Sequence, residues 1–328
     1  MKRVGLSFLA VALAGFCLGC EKDYYAKQII TCDTGSGKLA LRMLGTGEEL
    51  MKQKRIDQHH RFLMADKTPI DVWVIKARPG EGKEIRATAL LLHGLGESKG
   101  TRYLFVAGQR LAKMGYDVVL MDLRAHGRSG GEYVTHGALE KHDVKSVMDS
   151  LIGARTVHPN VYVFGRTLGA AVAIQYAAID PRCKGVVALT PYRDVRSFGR
   201  LRLAPLAPAL SQKDYETHLA RAGEIASFDP EDASAVAAAS KLSCPLLLVH
   251  ALFDLRALVG LAVPVEHSQD IRLAARGPTK LILVTPVAEQ IALALILDRW
   301  IPDKIHMLAT KGLEETATKP AAKPAAKP

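Results

Sequence analysis

The segment Val161–Gly169, VYVFGRTLG, decides the fold of this chain. It opens with a short apolar run typical of a buried strand and continues, from Leu168 to Ala178, into the alanine-rich stretch LGAAVAIQYAA, which favours a helix. Gly165 and Gly169 stand two residues before and two residues after Thr167, so strand and helix can approach closely through a sharp turn. The segment therefore predicts a strand, a tight turn centred on Thr167, and a helix.

Short apolar runs alternate with amphipathic segments on both sides of this turn. Beyond Val161–Phe164, strands are predicted at Ala87–His93, Asp117–Met121, Val186–Leu189, Leu246–Val249 and Leu281–Val284. Helices are predicted at Tyr103–Met114, Leu139–Ile152 and Ile291–Met307, and a hairpin at Arg61–Ala65 and Ile70–Ala77. Continuous apolar strands separated by helices predict an α/β fold, with a mostly parallel sheet covered by helices on both faces.

Three further motifs surround the turn in chain order: LLLHGLG at Leu90–Gly96, DLRAHGRS at Asp122–Ser129, and CPLLLVHALFD at Cys244–Asp254. Together with the elbow GRTLG they resemble the α/β-hydrolase superfamily, in particular the group holding monoacylglycerol lipases and serine-aminopeptidase-like hydrolases. The resemblance spans about Ile56 to Trp300 and implies an α/β-hydrolase domain at residues 56–310, with a small helical cap after the sixth strand at about residues 191–240. Ala125 and Ala251 depart from glycines of the family pattern.

The resemblance also implies catalytic positions. Thr167 stands where the family has its serine nucleophile, and Asp254 stands where the acid is expected. The backbone N–H groups of Leu95 and Leu168 are the expected oxyanion donors. The family's histidine position falls in TPVAEQ at Thr285–Gln290 and holds Gln290.

The other histidines do not replace the missing base. His93 and His126 fall at positions that are usually structural in the family, His267 lies at a helix start after the acid strand, and His306 lies too far along the final helix. The loop 255–260 also looks longer than usual, which would displace Asp254.

These departures bear on the chemistry. A threonine hydroxyl is a poor nucleophile until a base takes its proton, and glutamine cannot do this. A β-branched side chain also tolerates the strained elbow backbone poorly. The leading hypothesis is therefore a protein of serine-hydrolase type that has lost efficient hydrolysis and binds a small apolar or acyl ligand. The alternatives are an active ester or amide hydrolase using Thr167 with an unorthodox base such as Glu289, and an envelope scaffold.

The N-terminus predicts export. Met1-Lys2-Arg3 precedes the uncharged run Val4–Leu18, and CLGC at Cys17–Cys20 resembles a bacterial lipobox, with Cys17 in place of the usual leucine. Residues 1–20 are thus an expected signal, with lipidation at Cys20 and membrane anchoring in the cell envelope. Glu21 in the second position resembles outer-membrane sorting in a Gram-negative cell.

The remaining segments and the composition add further expectations. Residues 21–55 are mixed in composition and contain Gly35, Gly37, Gly45 and Gly47, so they are expected to be a tether with little structure. Residues 311–328 are expected to be a solvated Ala/Lys/Pro tail. The formal charge of +11 is spread along the chain without a nucleic-acid-binding motif, so no nucleic-acid partner is expected. No cofactor or metal-ligand pattern is present, Cys183 and Cys244 are expected to be free buried thiols, and the substrate and oligomeric state stay open.

Overall fold

The computed structural model describes residues 18–80, 84–251 and 262–284. Its strands form one sheet in the order β1-β2-β4-β3-β5-β6-β7-β8. β1 pairs antiparallel with β2 and β2 antiparallel with β4, while all the other neighbours run parallel. The strands are β1 Gln58–Leu63, β2 Pro69–Ile75, β3 Ala87–Leu92, β4 Tyr116–Met121, β5 Val161–Arg166, β6 Cys183–Leu189, β7 Leu246–Ala251 and β8 Thr279–Val284. The mostly parallel sheet that the sequence predicted is confirmed.

Helices cover both faces of this sheet, as predicted. They are α1 Leu18–Ile30, α2 Gly35–Leu44, α3 Gly47–Lys52, α4 Arg102–Lys113, α5 Glu140–Gly153, α6 Leu168–Ala177, α7 Val195–Leu203, α8 Gln212–Ala226, α9 Ala235–Ala239 and α10 Val265–Ala274. Adjacent strand residues separate to opposite faces: Leu90 packs with α5 and α6, whereas Leu91 packs with α4. Both residues are fully buried, which explains why the strands read as continuous apolar runs. None of the helices in the described ranges combines the length and the apolar composition needed to cross a membrane.

The predicted helical cap lies between β6 and β7. Its helices α7, α8 and α9 interrupt the strand–helix alternation, with a 3-10 turn at Pro230–Asp232 before α9. A separate apolar cluster holds it together, and this cluster includes Val195, Tyr215 and Leu219 of the cap. The cap therefore has its own small core, to which α1 also contributes through Ile29 and Ile30.

The N-terminal segment differs from the expectation of a loosely structured tether. α1, α2 and α3 occupy most of residues 21–55, and Ile29, Ile30 and Leu50 are fully buried. α1 lies against α8, where Arg221 Nε donates to Asp23 Oδ1 over 2.7 Å. Burial of apolar side chains offsets the entropy of ordering this segment, which a free tether could not do.

The glycines of this segment explain the difference. Gly37 lies so close to the loop after β3 that a Cβ there would stand 2.5 Å from the carbonyl oxygen of Glu97. A Cβ on Gly47 would stand 2.4 Å from the ring of His59. Glycines that looked like markers of flexibility instead permit close packing of backbone against the domain.

The turn between β5 and α6 brings the backbones of strand and helix into close contact. A Cβ on Gly165 would stand 2.1 Å from the carbonyl oxygen of Gly169. A Cβ on Gly169 would stand 2.5 Å from the carbonyl oxygens of both Leu92 and His93. Backbone atoms fill both spaces, so neither position admits a side chain without moving β3, β5 or α6.

We expect Gly169→Ala to lower the free energy of unfolding by about 3 kcal/mol or more, because the added methyl would overlap two carbonyl oxygens of β3 and its loop. Urea unfolding followed by circular dichroism measures this. Gly153→Ala is the matched control, because Gly153 is also helical and a Cβ there meets nothing within 4 Å. It should be neutral or stabilising by up to about 1 kcal/mol. Equal losses in the two variants would contradict the close approach described here.

Candidate active site

Thr167 occupies the turn between β5 and α6 in a conformation that side chains rarely adopt. Its φ is 45° and its ψ is −105°. Its N–H donates to the carbonyl of Leu189 over 2.9 Å, and its own carbonyl accepts from the N–H of Ala171 over 3.0 Å. For a β-branched residue such a φ costs about 1–3 kcal/mol, and favourable interactions of the surrounding structure must offset this strain. The strained elbow expected from the sequence is therefore present, with threonine in it.

The Thr167 hydroxyl faces the loop that follows β3. The N–H of Leu95 donates to Thr167 Oγ1 over 3.2 Å, and the N–H of Gly169 donates to the carbonyl of His93 over 3.1 Å. Thr167 is only 6% exposed. Within the described ranges no histidine ring is hydrogen bonded to this hydroxyl. The amide expected to stabilise an oxyanion thus lies against the side chain of the elbow, and Leu168 follows it as the first residue of α6.

A buried ion pair fixes the loop to the elbow. Glu97 Oε2 accepts from the N–H of Gly94 over 2.9 Å and from the hydroxyl of Tyr103 over 2.6 Å, while Glu97 Oε1 pairs with Arg166. Arg166 immediately precedes Thr167. Burial alone raises the pKa of Glu97, but Arg166 and the two hydrogen bonds outweigh it and hold that pKa below its ordinary value. The loop and the elbow are therefore held together by a charged group from each.

Gly96 is held from two sides. Its N–H donates to His126 Nε2 over 3.0 Å, and its carbonyl accepts from Ser36 Oγ over 2.9 Å and from the N–H of Gly37 over 3.1 Å. His126 Nδ1 in turn lies 2.9 Å from the carbonyl of Arg124. Because Nε2 accepts, Nδ1 carries the proton and donates. Burial lowers the pKa of His126 to about 3, so the ring stays neutral.

His93 and the Asp122 turn are likewise bound to the backbone around them. His93 Nε2 accepts from the N–H of Leu123 over 3.0 Å, and Nδ1 lies 2.8 Å from the carbonyl of Gly94. The carboxylate of Asp122 pairs with the fully buried Lys99, which also lies 2.6 Å from Asp71. These contacts make His93 a structural residue of the loop.

Ala125 in this turn has a φ of 62°. The family pattern has glycine here, and the left-handed conformation explains why: an alanine costs roughly 1–2 kcal/mol in it. The backbone at Ala125 is thus strained, as it is at Thr167, and both positions lie close to the site.

A cavity of about 280 Å³ opens beside the elbow. It is lined by Cys32, Asp33, Leu95, Gly96, Thr167, Phe198, Arg202 and Val263. The N-terminal segment, the loop after β3, the elbow and the cap each supply part of its wall. A volume near the lower end for ligand clefts suits a small molecule.

Cys32 brings a thiol, a second candidate nucleophile, to this cavity, but its surroundings argue against that role. Its Sγ lies 3.3 Å from His126 Nε2. Burial raises the pKa of the Cys32 thiol, and burial lowers the pKa of His126. Both groups are therefore neutral near pH 7, whereas a reactive cysteine is a thiolate.

Two histidines lie near the end of β7, which the structure describes up to Ala251. His250 on β7 lies 2.7 Å from Ser268 Oγ and 2.9 Å from the carbonyl of Val263, so it joins β7 to α10 across the segment 252–261. His267 Nδ1 accepts from the N–H of Arg193 over 3.3 Å, and burial lowers the pKa of His267 to about 4. Both rings are therefore engaged in hydrogen bonds to residues around them.

Several of the expected site residues lie outside the described residues. These are Asp254, Gln290 and Glu289, together with His306, the expected final helix and the Ala/Lys/Pro tail. The expected signal run also lies outside them, and the side chain of Cys20 is not described although its backbone belongs to the first turn of α1. Cys32, Cys183 and Cys244 are free cysteines.

Sequence reasoning missed the contributions of Cys32, Asp33 and Arg202 to the cavity. A signal for the first two existed: Tyr25, Ala26, Ile29 and Ile30 recur at helical spacing and mark α1 as amphipathic. Nothing comparable marks Arg202, because the cap sequence does not reveal which face of α7 turns toward the elbow. Glu97 belongs to no motif, and Arg166 fills a variable position of the elbow GRTLG, to which the motif assigns no role.

Part of the chain is similar in sequence to a known family and to a bacterial protein. Residues 83–224 match the model of the family described as serine aminopeptidase, S33. That stretch includes the loop after β3, the elbow and much of the cap, and is less than half of the chain. An uncharacterized protein of Bacillus subtilis, YqkD, is 25% identical over 256 residues, which is 73% of this chain and 79% of that protein.

Solved structures are similar in fold. The esterase Pf2001 of Pyrococcus furiosus superposes with a TM-score of 0.57 at 20% identity, over 79% of this chain and 94% of that one. Est1E of Butyrivibrio proteoclasticus, with ferulic acid bound, gives a TM-score of 0.52 at 15% identity, over 76% of this chain and 99% of that one. With the sheet order and the elbow, these similarities show that the chain has the α/β-hydrolase fold.

The Arg166–Glu97 ion pair should stabilise the fold to an extent that depends on pH. Arg166→Met should lower the free energy of unfolding at pH 7 by about 3 kcal/mol or more, because it leaves a buried carboxylate without its cation. In the wild type the depressed pKa of Glu97 contributes stability above the unfolded pKa, and this is lost as the pH falls through the folded pKa. Without Arg166 that contribution is absent. The difference in free energy of unfolding between wild type and variant should therefore become smaller below about pH 4.5.

Denaturant unfolding at several pH values measures this gap. Arg78→Met is the control, because the Arg78–Asp57 pair is exposed and should contribute less than about 1 kcal/mol. A loss in Arg166→Met that does not change with pH would contradict a charged Glu97.

Proposed function

We propose that this chain is a protein of serine-hydrolase type whose cleft binds an acyl or other carbonyl compound, with hydrolysis impaired. One observation carries the proposal: the hydroxyl of Thr167 accepts the hydrogen bond of the Leu95 amide, at the strained elbow and beside an open cavity. A carbonyl oxygen of a ligand is the natural alternative acceptor for such an amide. In this proposal the Leu95 amide would receive an acyl carbonyl, while threonine replaces serine at the nucleophile position.

The chemistry of the altered positions supports impairment. Threonine brings a methyl group to a buried elbow, where it crowds the path of attack on a bound carbonyl. Alignment of the sequence puts Gln290 where the base is expected, and general-base help is worth about 10²–10⁴-fold in rate. In a triad that acts as a unit, the loss of one member costs up to about 10⁶-fold.

An active ester or amide hydrolase is the second candidate. The observation that favours it is the backbone of Thr167, which keeps the strained geometry that a working elbow uses. In this case Thr167 would be the nucleophile, Asp254 the acid and Glu289 the base. The esterase Pf2001 shares the fold, but at 20% identity it supports the scaffold alone.

Turnover of nitrophenyl esters of short and medium acids separates the two candidates. We expect the wild type and Thr167→Ala to have the same rate within about threefold, both close to the uncatalysed reaction. The double variant Thr167→Ser with Gln290→His should gain at least about 100-fold, since it restores nucleophile and base together.

Thr167→Ser alone is the matched control, because it removes the methyl group without restoring a base. Wild-type turnover well above that of Thr167→Ala would establish an active threonine hydrolase and refute impairment. No gain in the double variant would show that Gln290 is not at the base position.

We further propose that the chain is held at the bacterial cell envelope through lipidated Cys20. The support is the sequence pattern of a positive start, an apolar run and CLGC. In a Gram-negative host the protein should sediment with membranes, and Cys20→Ala should move most of it to the soluble fraction. Cys32→Ala is the control, since Cys32 lies in the cavity wall and should leave the distribution unchanged. A wild-type protein found in the soluble fraction would end this proposal, including the scaffold role that depends on it.

A further inference from the structure

Arg202 is the positively charged side chain of the cavity beside Thr167. It lies near the end of α7 in the cap, and its side chain is partly buried. Its Nη2 donates to the carbonyl of Thr31 over 2.7 Å, which anchors one edge of the guanidinium. The cavity that it lines is also lined by Leu95, the expected oxyanion donor.

The charge of Arg202 is not matched by a carboxylate in the described ranges, where no acidic oxygen lies within ion-pair distance of it. Two other arginines of the cap, Arg193 and Arg196, differ in this respect. Arg196 pairs with Glu216 and Glu231, and Arg193 pairs with Asp270 over 2.6 Å. Burial without such a partner lowers the pKa of Arg202, although the group stays charged near pH 7.

The other polar groups of the cavity do not neutralise it. Asp33 also lines the cavity, but its carboxylate is exposed and forms no ion pair with Arg202; its Oδ1 accepts from the N–H of Gly35 over 2.8 Å. Burial raises the pKa of the Cys32 thiol, so Cys32 contributes no negative charge near pH 7. A partly desolvated guanidinium is therefore available to an anion that enters the cavity.

We propose that the cavity takes a small acyl compound with a free carboxylate, held by Arg202 while its ester or amide carbonyl faces Leu95. This inference rests on the proposed function, since it names the substrate class of the same cleft. A guanidinium binds a carboxylate through two parallel hydrogen bonds, which fixes orientation as well as adding affinity. The apolar side chains of Phe198, Leu95 and Val263 suit the short hydrocarbon between the two groups. Monoesters of four- to six-carbon dicarboxylic acids have this layout.

Calorimetric titration with matched probes tests the proposal. The probes are monomethyl succinate, glutarate and adipate, each compared with its dimethyl ester, which has the same chain and no charge. At pH 7 we expect at least one monoester to bind the wild type about tenfold or more tightly than its diester, the range of one charge-assisted hydrogen bond. Arg202→Gln should reduce that preference to within about twofold, because glutamine keeps a polar amide group but carries no charge.

Two further variants guard against a general structural effect. Arg202→Lys keeps the charge and should keep part of the preference. Arg200→Gln lies on the same helix and also loses an arginine bonded to a carbonyl, that of Leu210 over 2.6 Å, but Arg200 is not a cavity residue and the preference should be unchanged.

Equal binding of monoesters and diesters by the wild type, no binding of any probe, or a preference that survives in Arg202→Gln would overturn the inference. The proposed function fails separately. The nitrophenyl ester assay tests it without reference to Arg202. Rapid turnover of these uncharged esters by the wild type, lost in Thr167→Ala, would refute impairment whatever the role of Arg202.

Discussion

The structure depends on the contact between backbone atoms at the β5–α6 turn. Gly165 and Gly169 bring the start of α6 against β3 and β5 with no room for a side chain. That approach forces Thr167 into a left-handed backbone and sets its hydroxyl beside the amide of Leu95. The sheet order places β3 and β5 side by side, so the loop after one and the turn after the other meet at the same edge. The cavity then opens where the cap covers this edge.

Two kinds of interaction hold the site: apolar packing on the faces of the sheet and buried polar contacts in the loops. Apolar side chains fill both faces of the sheet, but the loops at its edge are fixed by buried polar groups. Lys99 lies between Asp71 and Asp122 and over the ring of Trp73, and Glu97 lies between Gly94 and Arg166. Such pairs add little net stability compared with apolar packing, yet they discriminate strongly against a displaced loop. A site that needs an amide in one position benefits from that discrimination.

The sheet and the helices that alternate with its parallel strands could be predicted from the sequence, because these elements carry apolar patterns of their own and the elbow carries its glycines. Thr167, Leu95 and Leu168 followed from the same local motifs. The cavity could not be predicted, since Arg202 and Cys32 come from distant segments and only the packing of α1 and the cap brings them to the elbow. The error about residues 21–55 has a related cause: Gly37 and Gly47 looked like flexible linker residues, whereas the close contact that requires them lies with residues remote in sequence. Asp254 and Gln290, outside the described residues, stay predictions.

The docking of α1 has a thermodynamic consequence for whatever the cavity holds. Cys32 and Asp33 follow directly on α1, and Ser36 and Gly37 hold the carbonyl of Gly96 in the loop beside the elbow. The wall of the cleft is therefore continuous with the N-terminal helix. A ligand that needs this wall must bind more tightly when α1 is docked, and by reciprocity it must make α1 harder to detach by the same factor. A pulling force on the N-terminal end of the chain, which favours detachment of α1, should therefore weaken ligand binding, and a bound ligand should oppose that detachment.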